Sequence, residues 1–265
     1  MLANFHTHTT FCDGKSTVEE VVLSALEKGF AAIGFSGHGY TTFDLSYCIK
    51  DTEGYLAEIR RVKEKYGKEI EIYAGIEEDA FHPQARGRFD YILGSSHYFR
   101  LHGLYYPVDN NIECMKKCLA LYDNDTLRMA EDYYSEFCTY LKRYRPDIIG
   151  HFDLLTKFDE KTPIFSHDPA YREIAKKYIF EAVKCGGIFE VNTGAISRGY
   201  RTTPYPHPEL LHVLKKEGAR VMITSDSHHA STIDCAFDET RVLLREVGFR
   251  TSTVLYHGEF IEDAL

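Results

Sequence analysis

Seven stretches of this chain run through short apolar, mostly β-branched segments and stop at small residues followed by a metal-type ligand or polar group. They are LANFHTHTTFCDG (2–14), AAIGFSGH (31–38), IYAGIE (72–77), YILGSSH (91–97), DIIGH (147–151), IFEVNTG (188–194) and VMITSDSH (221–228). A strand covered on both faces reads as a near-continuous apolar run, so these segments are expected to be buried parallel strands with their ligands at the C-terminal ends. Helical patterns lie between them. Ser16 with Glu19 reads as a capping box ahead of the stripe Val18, Val21, Val22, Ala25 and Leu26, with Gly29 placed to stop it. Asp51 to Tyr66, Thr126 to Tyr144, Pro169 to Cys185 and Pro208 to Glu217 follow as further helices, the last two opened by first-turn prolines.

In an open doubly wound sheet only a few adjacent strands would feed one switch point, whereas here almost every strand end supplies a ligand. A closed barrel brings all those ends to one mouth. The expected fold is therefore α/β, a distorted (β/α)7 TIM-like barrel with a multinuclear metal site at the C-terminal ends of its strands. An eighth run, STVLYH (252–257), is weak and carries no assignable ligand. The segment from His102 to Asp125 shows no clear strand and reads as a lid or an insertion over the rim. No linker, repeat or low-complexity tract divides the 265 residues, so residues 1–265 are expected to form one domain.

The ligand set is His6, His8, Asp13, His38, Glu77, His97, His151, Asp226 and His228. His6 and His8 stand two apart on a strand and share a face, as do Asp226 and His228, so each pair can chelate one ion. Alone, each has a plainer reading; Asp13 beside Gly14, for example, is an ordinary turn pair. Together, burying so many charged and imidazole groups without metal would leave several unpaired at a cost of several kcal/mol. Imidazole mixed with carboxylate suits zinc, manganese or iron and argues against an all-oxygen calcium site. Seven cysteines without CxxC spacing read as reduced thiols. With no leader pattern before His6, a cytoplasmic protein is expected.

A net charge of −9 and an isoelectric point near 5.8 disfavour a broad nucleic-acid surface, and no segment suggests a membrane partner. The local field is another matter: three divalent ions would bring about +6 against roughly −3 from Asp13, Glu77 and Asp226, a cavity fit for a phosphate dianion. Arg198, a few residues past the sixth strand, is the candidate to stabilise phosphoryl charge. Asn192 is placed to point inward from that strand end, sharing a face with Glu190, and can orient a phosphate oxygen or water. His102 and His229 lie in mouth loops within reach of a substrate.

HTH, CDG, two GH pairs, SSH and SDSH at these positions resemble the motifs of the polymerase and histidinol phosphatase (PHP) superfamily. More narrowly, AGIEEDAF (74–81), FDYILGSSHY (89–98), IIGHFDLLTKF (148–158), FEVNTGAISRGYRTTPYPHPELL (189–211) and ITSDSHHAS (223–231) resemble the monofunctional PHP-type histidinol-phosphate phosphatases of histidine biosynthesis. The resemblance implies three divalent metal ions: one held by His6, His8, Glu77 and Asp226, a second by Glu77, His97 and His151, and a third by Asp13, His38 and His228. Some members carry histidine where Asp13 stands. It further implies hydrolysis of L-histidinol phosphate, a small-molecule phosphate ester, with Glu77, Asp226, His228 and Arg198 carrying catalysis. The alternatives within the same superfamily are a nuclease or nucleotide or oligonucleotide phosphatase, and a noncatalytic metal-stabilised module.

Overall fold

The computed structural model describes residues 1–265. The apolar runs form β1 (Ala3–Asn4), β2 (Ala32–Phe35), β3 (Glu71–Asp79) and β4 (Tyr91–Ser95), followed by a hairpin of β5 (Tyr98–Leu101) and β6 (Leu104–Pro107). Then come β7 (Ile148–Ile149), β8 (Ile188–Asn192) and β9 (Val221–Thr224), and a final hairpin of β10 (Thr251–Tyr256) and β11 (Glu259–Ala264). Seven strands pair in parallel in the order β1-β2-β3-β4-β7-β8-β9. The ring closes past the ends of β1 and β9 through the Thr7–Ser227 bridge, where the His8 N–H donates to the Ser227 carbonyl at 2.8 Å. This nearly closed seven-stranded barrel is the expected fold, its distortion visible in the two-residue strands β1 and β7.

Inside the ring, Phe5, Tyr73, Tyr91, Leu93, Ile148, Ile188 and Met222 form one buried cluster. The Tyr91 ring lies across the interior and donates its hydroxyl proton to the Phe5 carbonyl at 2.6 Å. Glycine is required beside it: a Cβ on Gly75 would stand 2.2 Å from Tyr91 Cζ, and one on Gly34 2.5 Å from its hydroxyl oxygen. Val254 and Leu255 of β10 join this cluster at the N-terminal ends of the strands. The run at 252–257 is therefore a strand, but not an eighth stave. It pairs antiparallel with β11 because His257 and Gly258, at φ 53° and 77°, make the two-residue turn that a hairpin needs.

The helices are α1 (Val18–Glu27), α2 (Thr52–Tyr66), α3 (Ile112–Ala120), α4 (Thr126–Tyr144), α5 (Pro169–Val183), α6 (Gly194–Ser197), α7 (Pro208–Lys216) and α8 (Phe237–Val247). The first cap lies one residue later than the sequence suggests. Thr17 Oγ1 accepts the Glu20 N–H at 3.2 Å, and the Glu20 carboxylate accepts the Thr17 N–H at 2.8 Å. Ser16 Oγ instead accepts the Ala230 N–H at 3.0 Å, and Glu19 turns to Arg61, Lys65 and Tyr66 of α2. Setting Val18 in the first turn buries Val18, Val21, Val22 and Ala25 together, which fixes the frame. Thr17→Ala is expected to cost about 1 kcal/mol, read as a lower urea midpoint with unchanged slope.

The segment from 102 to 125, expected to hold no strand, carries β6 and α3. Its strand pairs only with β5, in a short local hairpin whose second strand is exposed or half-buried and so lacks the long apolar run of a barrel strand. The insertion reaches the barrel mouth, where Lys157 Nζ donates to the Asp109 carbonyl at 2.6 Å and to its carboxylate at 3.1 Å.

Candidate metal centre

The strand ends deliver the nine ligand-type side chains to one place. His6 and His8 follow β1, His38 follows β2, Glu77 sits on β3, His97 follows β4, His151 follows β7, and Asp226 and His228 follow β9. Asp13 enters from the turn after His8, where a Cβ on Gly14 would stand 2.5 Å from the His8 carbonyl carbon. Glu77 is the hub. Its Oε1 lies 3.0 Å from His151 Nε2 and 3.3 Å from His97 Nε2. Its Oε2 lies 2.9 Å from His38 Nδ1, 3.3 Å from His6 Nε2 and 3.6 Å from His8 Nε2. Asp226 Oδ1 is 3.1 Å from His8 Nε2, and Asp13 Oδ2 is 3.2 Å from His228 Nε2.

Two ligands each about 2.1 Å from one ion stand roughly 3 Å apart, so this spacing fits metal coordination. Three groups bring their ligand atoms within 4.8 Å of one another: His8, Asp13, His38 and His228; His6, His8 and Glu77; and His38, Glu77 and His97. Buried polar atoms without any hydrogen-bond partner mark the same place, among them His6 Nε2, His8 Nε2, Asp13 Oδ1 and Glu77 Oε2. Orphans of this kind are costly unless something binds them. Electrostatics agree. Burial disfavours charge on His6, yet Glu190, Glu77 and Asp226 outweigh it and hold the imidazole well above its usual range. Burial likewise opposes ionisation of Glu77, and the surrounding His6, His38 and His97 overcome it. Burial, His228 and His38 push His8 down to about 3. The carboxylates thus call for positive charge at the centre.

A supporting carboxylate not singled out from the sequence stands behind the ligands. Glu190 on β8 is fully buried, hydrogen-bonds His6 Nδ1, and accepts the His151 N–H and the Thr224 hydroxyl, each at 2.6 Å. It fixes His6 with Nδ1 protonated and Nε2 turned to the centre. The signal was present as a lone acid inside the apolar run IFEVN. Asp79 does similar work, accepting the His97 N–H at 3.1 Å. Glu190→Gln is expected to weaken metal affinity by about 10–100 fold, measured by competition with a chromophoric chelator.

Arg198 follows the short helix α6. Its Nη2 donates to Asp226 Oδ2 at 2.9 Å and its Nη1 to the Asp226 carbonyl at 2.9 Å. Asp226 divides its carboxylate, Oδ1 toward the histidines and Oδ2 toward Arg198, and it holds a left-handed backbone at φ 46°. Such strain in a non-glycine residue persists only where neighbours enforce it. Gly194 makes the room, since its Cβ would come within 2.8 Å of Asp226 Cβ and 2.9 Å of Arg198 Nη2.

Above the centre opens a cavity of about 310 Å³, lined by six of the ligand-type residues and by Arg198, Asp44, Tyr47, Tyr98, Asp109 and Lys157 among others. Three of the sequence candidates lie elsewhere. Asn192 is buried, with Oδ1 accepting the Gly194 N–H at 2.8 Å and Nδ2 left without a partner. His102 sits exposed at the β5–β6 turn with φ 51°, and His229 Nδ1 accepts the Ser231 N–H at 3.2 Å. None of the three lines the cavity.

Residues 4–194 match the family model described as the PHP domain. The chain belongs to that family. This PHP domain chain is 27% identical over 277 residues to a Schizosaccharomyces pombe protein described as "Probable histidinol-phosphatase", covering 96% of this chain and 89% of that protein. It is 24% identical to a Bacillus subtilis histidinol-phosphatase, over 88% of this chain and 96% of the relative. In fold it is similar to a histidinol phosphate phosphatase from Lactococcus lactis solved with zinc, L-histidinol and phosphate. That likeness has a TM-score of 0.77 at 18% identity and covers 98% of both chains.

Proposed function

We propose that this protein is a metal-dependent phosphomonoesterase that hydrolyses L-histidinol phosphate to L-histidinol and inorganic phosphate, a step of histidine biosynthesis, with residues 1–265 acting as one catalytic domain. The observation that carries the reading is the gathering of nine imidazole and carboxylate side chains at one barrel mouth, five of the histidines within 3.6 Å of the Glu77 carboxylate, beneath a cavity walled by Arg198. Full-length relatives named for this activity support the choice of substrate.

In this reading His6, His8, Glu77 and Asp226 hold one divalent ion, Glu77, His97 and His151 a second, and Asp13, His38 and His228 a third, the metal being zinc, manganese or iron. Bound ions would supply water activation and neutralise charge on the phosphoryl oxygens. The chain's own residues do the rest. Arg198 presents guanidinium N–H groups at the wall, fixed in place by Asp226, so its donors need little reorganisation as charge spreads over the phosphoryl group. Glu190 and Asp79 keep His6 and His97 aimed. Asp44 and Asp109 line the cavity and suit an ammonium group, while Tyr47 and Tyr98 offer aromatic faces for a ring. No helix is long and apolar enough to cross a membrane. The reading places the enzyme in the cytoplasm, where its seven free thiols stay reduced.

The test is phosphate release by metal-loaded and chelator-stripped protein, comparing L-histidinol phosphate with nucleotides, sugar phosphates and a 3′-phosphorylated oligonucleotide. Metal-dependent turnover with histidinol phosphate far ahead is the expected result. An oligonucleotide in the lead would overturn the substrate, and turnover undiminished by stripping would overturn the metal dependence.

A further inference from the structure

Behind the wall of the mouth lies a second cavity of about 260 Å³. The two cavities share their walls. In the segment after β7, His151, Leu154 and Lys157 face the mouth, while Asp153, Thr156 and Asp159 line the second cavity. After α6, Arg198 and Tyr200 line the mouth, and Arg201, Thr202 and Thr203 line the second cavity.

Three charged side chains there are nearly inaccessible yet incompletely paired. Asp153 is 1% exposed; its Oδ2 accepts the His207 N–H at 3.0 Å and its Oδ1 has no partner. Asp159 is 5% exposed; its Oδ2 accepts the Phe165 and Ser166 N–H groups at 2.9 and 2.6 Å and its Oδ1 has no partner. Arg201, also 5% exposed, bonds Thr156 and Thr203 through its terminal nitrogens and lies 4.4 Å from the Tyr205 ring centre, but its Nε has no acceptor. Orphaned buried charges are expensive, and in a cavity they describe what would satisfy them.

The charge count gives the sign of the missing partner. Arg172 is neutralised by its pair with Glu209. Glu160 accepts the Thr202 N–H at 2.7 Å but meets no cation within salt-bridge range. Buried Asp153 and Asp159 therefore stand against Arg201 alone, with the exposed Glu160 adding negative charge at the rim. No three acid or imidazole atoms converge here as they do around Glu77, which argues against a transition metal. Two carboxylate oxygens want N–H donors, an ammonium offers three, and Arg201 Nε wants an oxygen acceptor.

We propose that this cavity is a second ligand site, selective for a small primary ammonium that also carries a hydroxyl, that is, an amino alcohol. The excess negative charge favours that cation over a zwitterionic amino acid. Its occupant bears on the back of the wall that presents Arg198 and Lys157, which is where an effector of the mouth would act.

The experiment is calorimetric titration of the full-length, metal-loaded protein with 2-amino-1,3-propanediol, with glycerol as the uncharged control and saturating inorganic phosphate present to fill the mouth. Saturable binding of the amino alcohol, absent for glycerol, is expected. Asp159→Asn keeps an acceptor for the Phe165 and Ser166 N–H groups and sets an amide at the orphan position. It should weaken binding about tenfold or more, with metal content and phosphate release unchanged. Glu160→Gln, at a residue that does not cap a buried loop, should weaken binding too and stands in if the first variant fails to fold. Equal binding of glycerol, no saturable heat, or undiminished affinity in the folded variant would each sink the proposal.

Discussion

Glu77→Gln is expected to reduce phosphate release by about 10³ fold or more while leaving the barrel folded. Glutamine keeps the shape, and the Ser95 hydroxyl that donates to Glu77 Oε1 at 2.7 Å can still find an oxygen. What changes is chemistry at the hub. One carboxylate meets His151 and His97 through Oε1, and His38, His6 and His8 through Oε2. An amide offers one ligating oxygen and no charge, and its NH₂ confronts imidazole nitrogens that should be turned to metal. Metal analysis should therefore find fewer ions per chain than in the parent, with little change in the thermal midpoint measured without metal. Normal turnover with full metal content would remove the bridging role from Glu77.

Arg198→Ala is expected to lower kcat by roughly 10–1000 fold, the range for loss of one preorganised donor to a transition-state oxygen. The side chain also restrains Asp226, so two routes to the loss must be separated. If Arg198 acts on the phosphoryl group, metal content stays near that of the parent and Arg198→Lys restores only part of the rate, because a point charge lacks the forked donor geometry. If its work is to hold Asp226 in its strained conformation, metal is lost together with activity. Unchanged kinetics would return Arg198 to the ordinary surface.

The barrel and the converging ligands were legible because each rests on local pattern. A buried parallel strand is a short apolar run, and a ligand just past its end needs no knowledge of what lies opposite. Asn192 was harder to read: alternation puts it on the inward face with Glu190, and only the structure shows that the Gly194 N–H occupies its Oδ1 and that it stands outside the cavity lining. Glu190 was visible as a residue and invisible as a role, since only closure of the ring brings His6 from the other end of the chain against it. The capping box was off by one because Ser16-Glu19 and Thr17-Glu20 satisfy the same motif, and only burial of the Val18 stripe chooses between them. The weak run at 252–257 is extended and stands outside the seven-stranded barrel, as the lack of a ligand at its end suggested, but its partner β11 was not legible, because pairing is not a property of a single strand.

The Thr7–Ser227 bridge joins the earliest and latest staves by a single residue pair and two backbone hydrogen bonds, backed by Asn4 against Ser225, and the side chains on either side of it are His6, His8, Asp226 and His228. Cations held by these four would act as a clasp across this short seam of the cylinder. Opening that seam, and with it amide exchange at His8 and Ser227, then becomes a function of free metal concentration, each tenfold excess over the dissociation constant adding about 1.4 kcal/mol to the closed form. Catalytic centre and hoop would then be one object, and a cell short of metal would leave this barrel both idle and ajar.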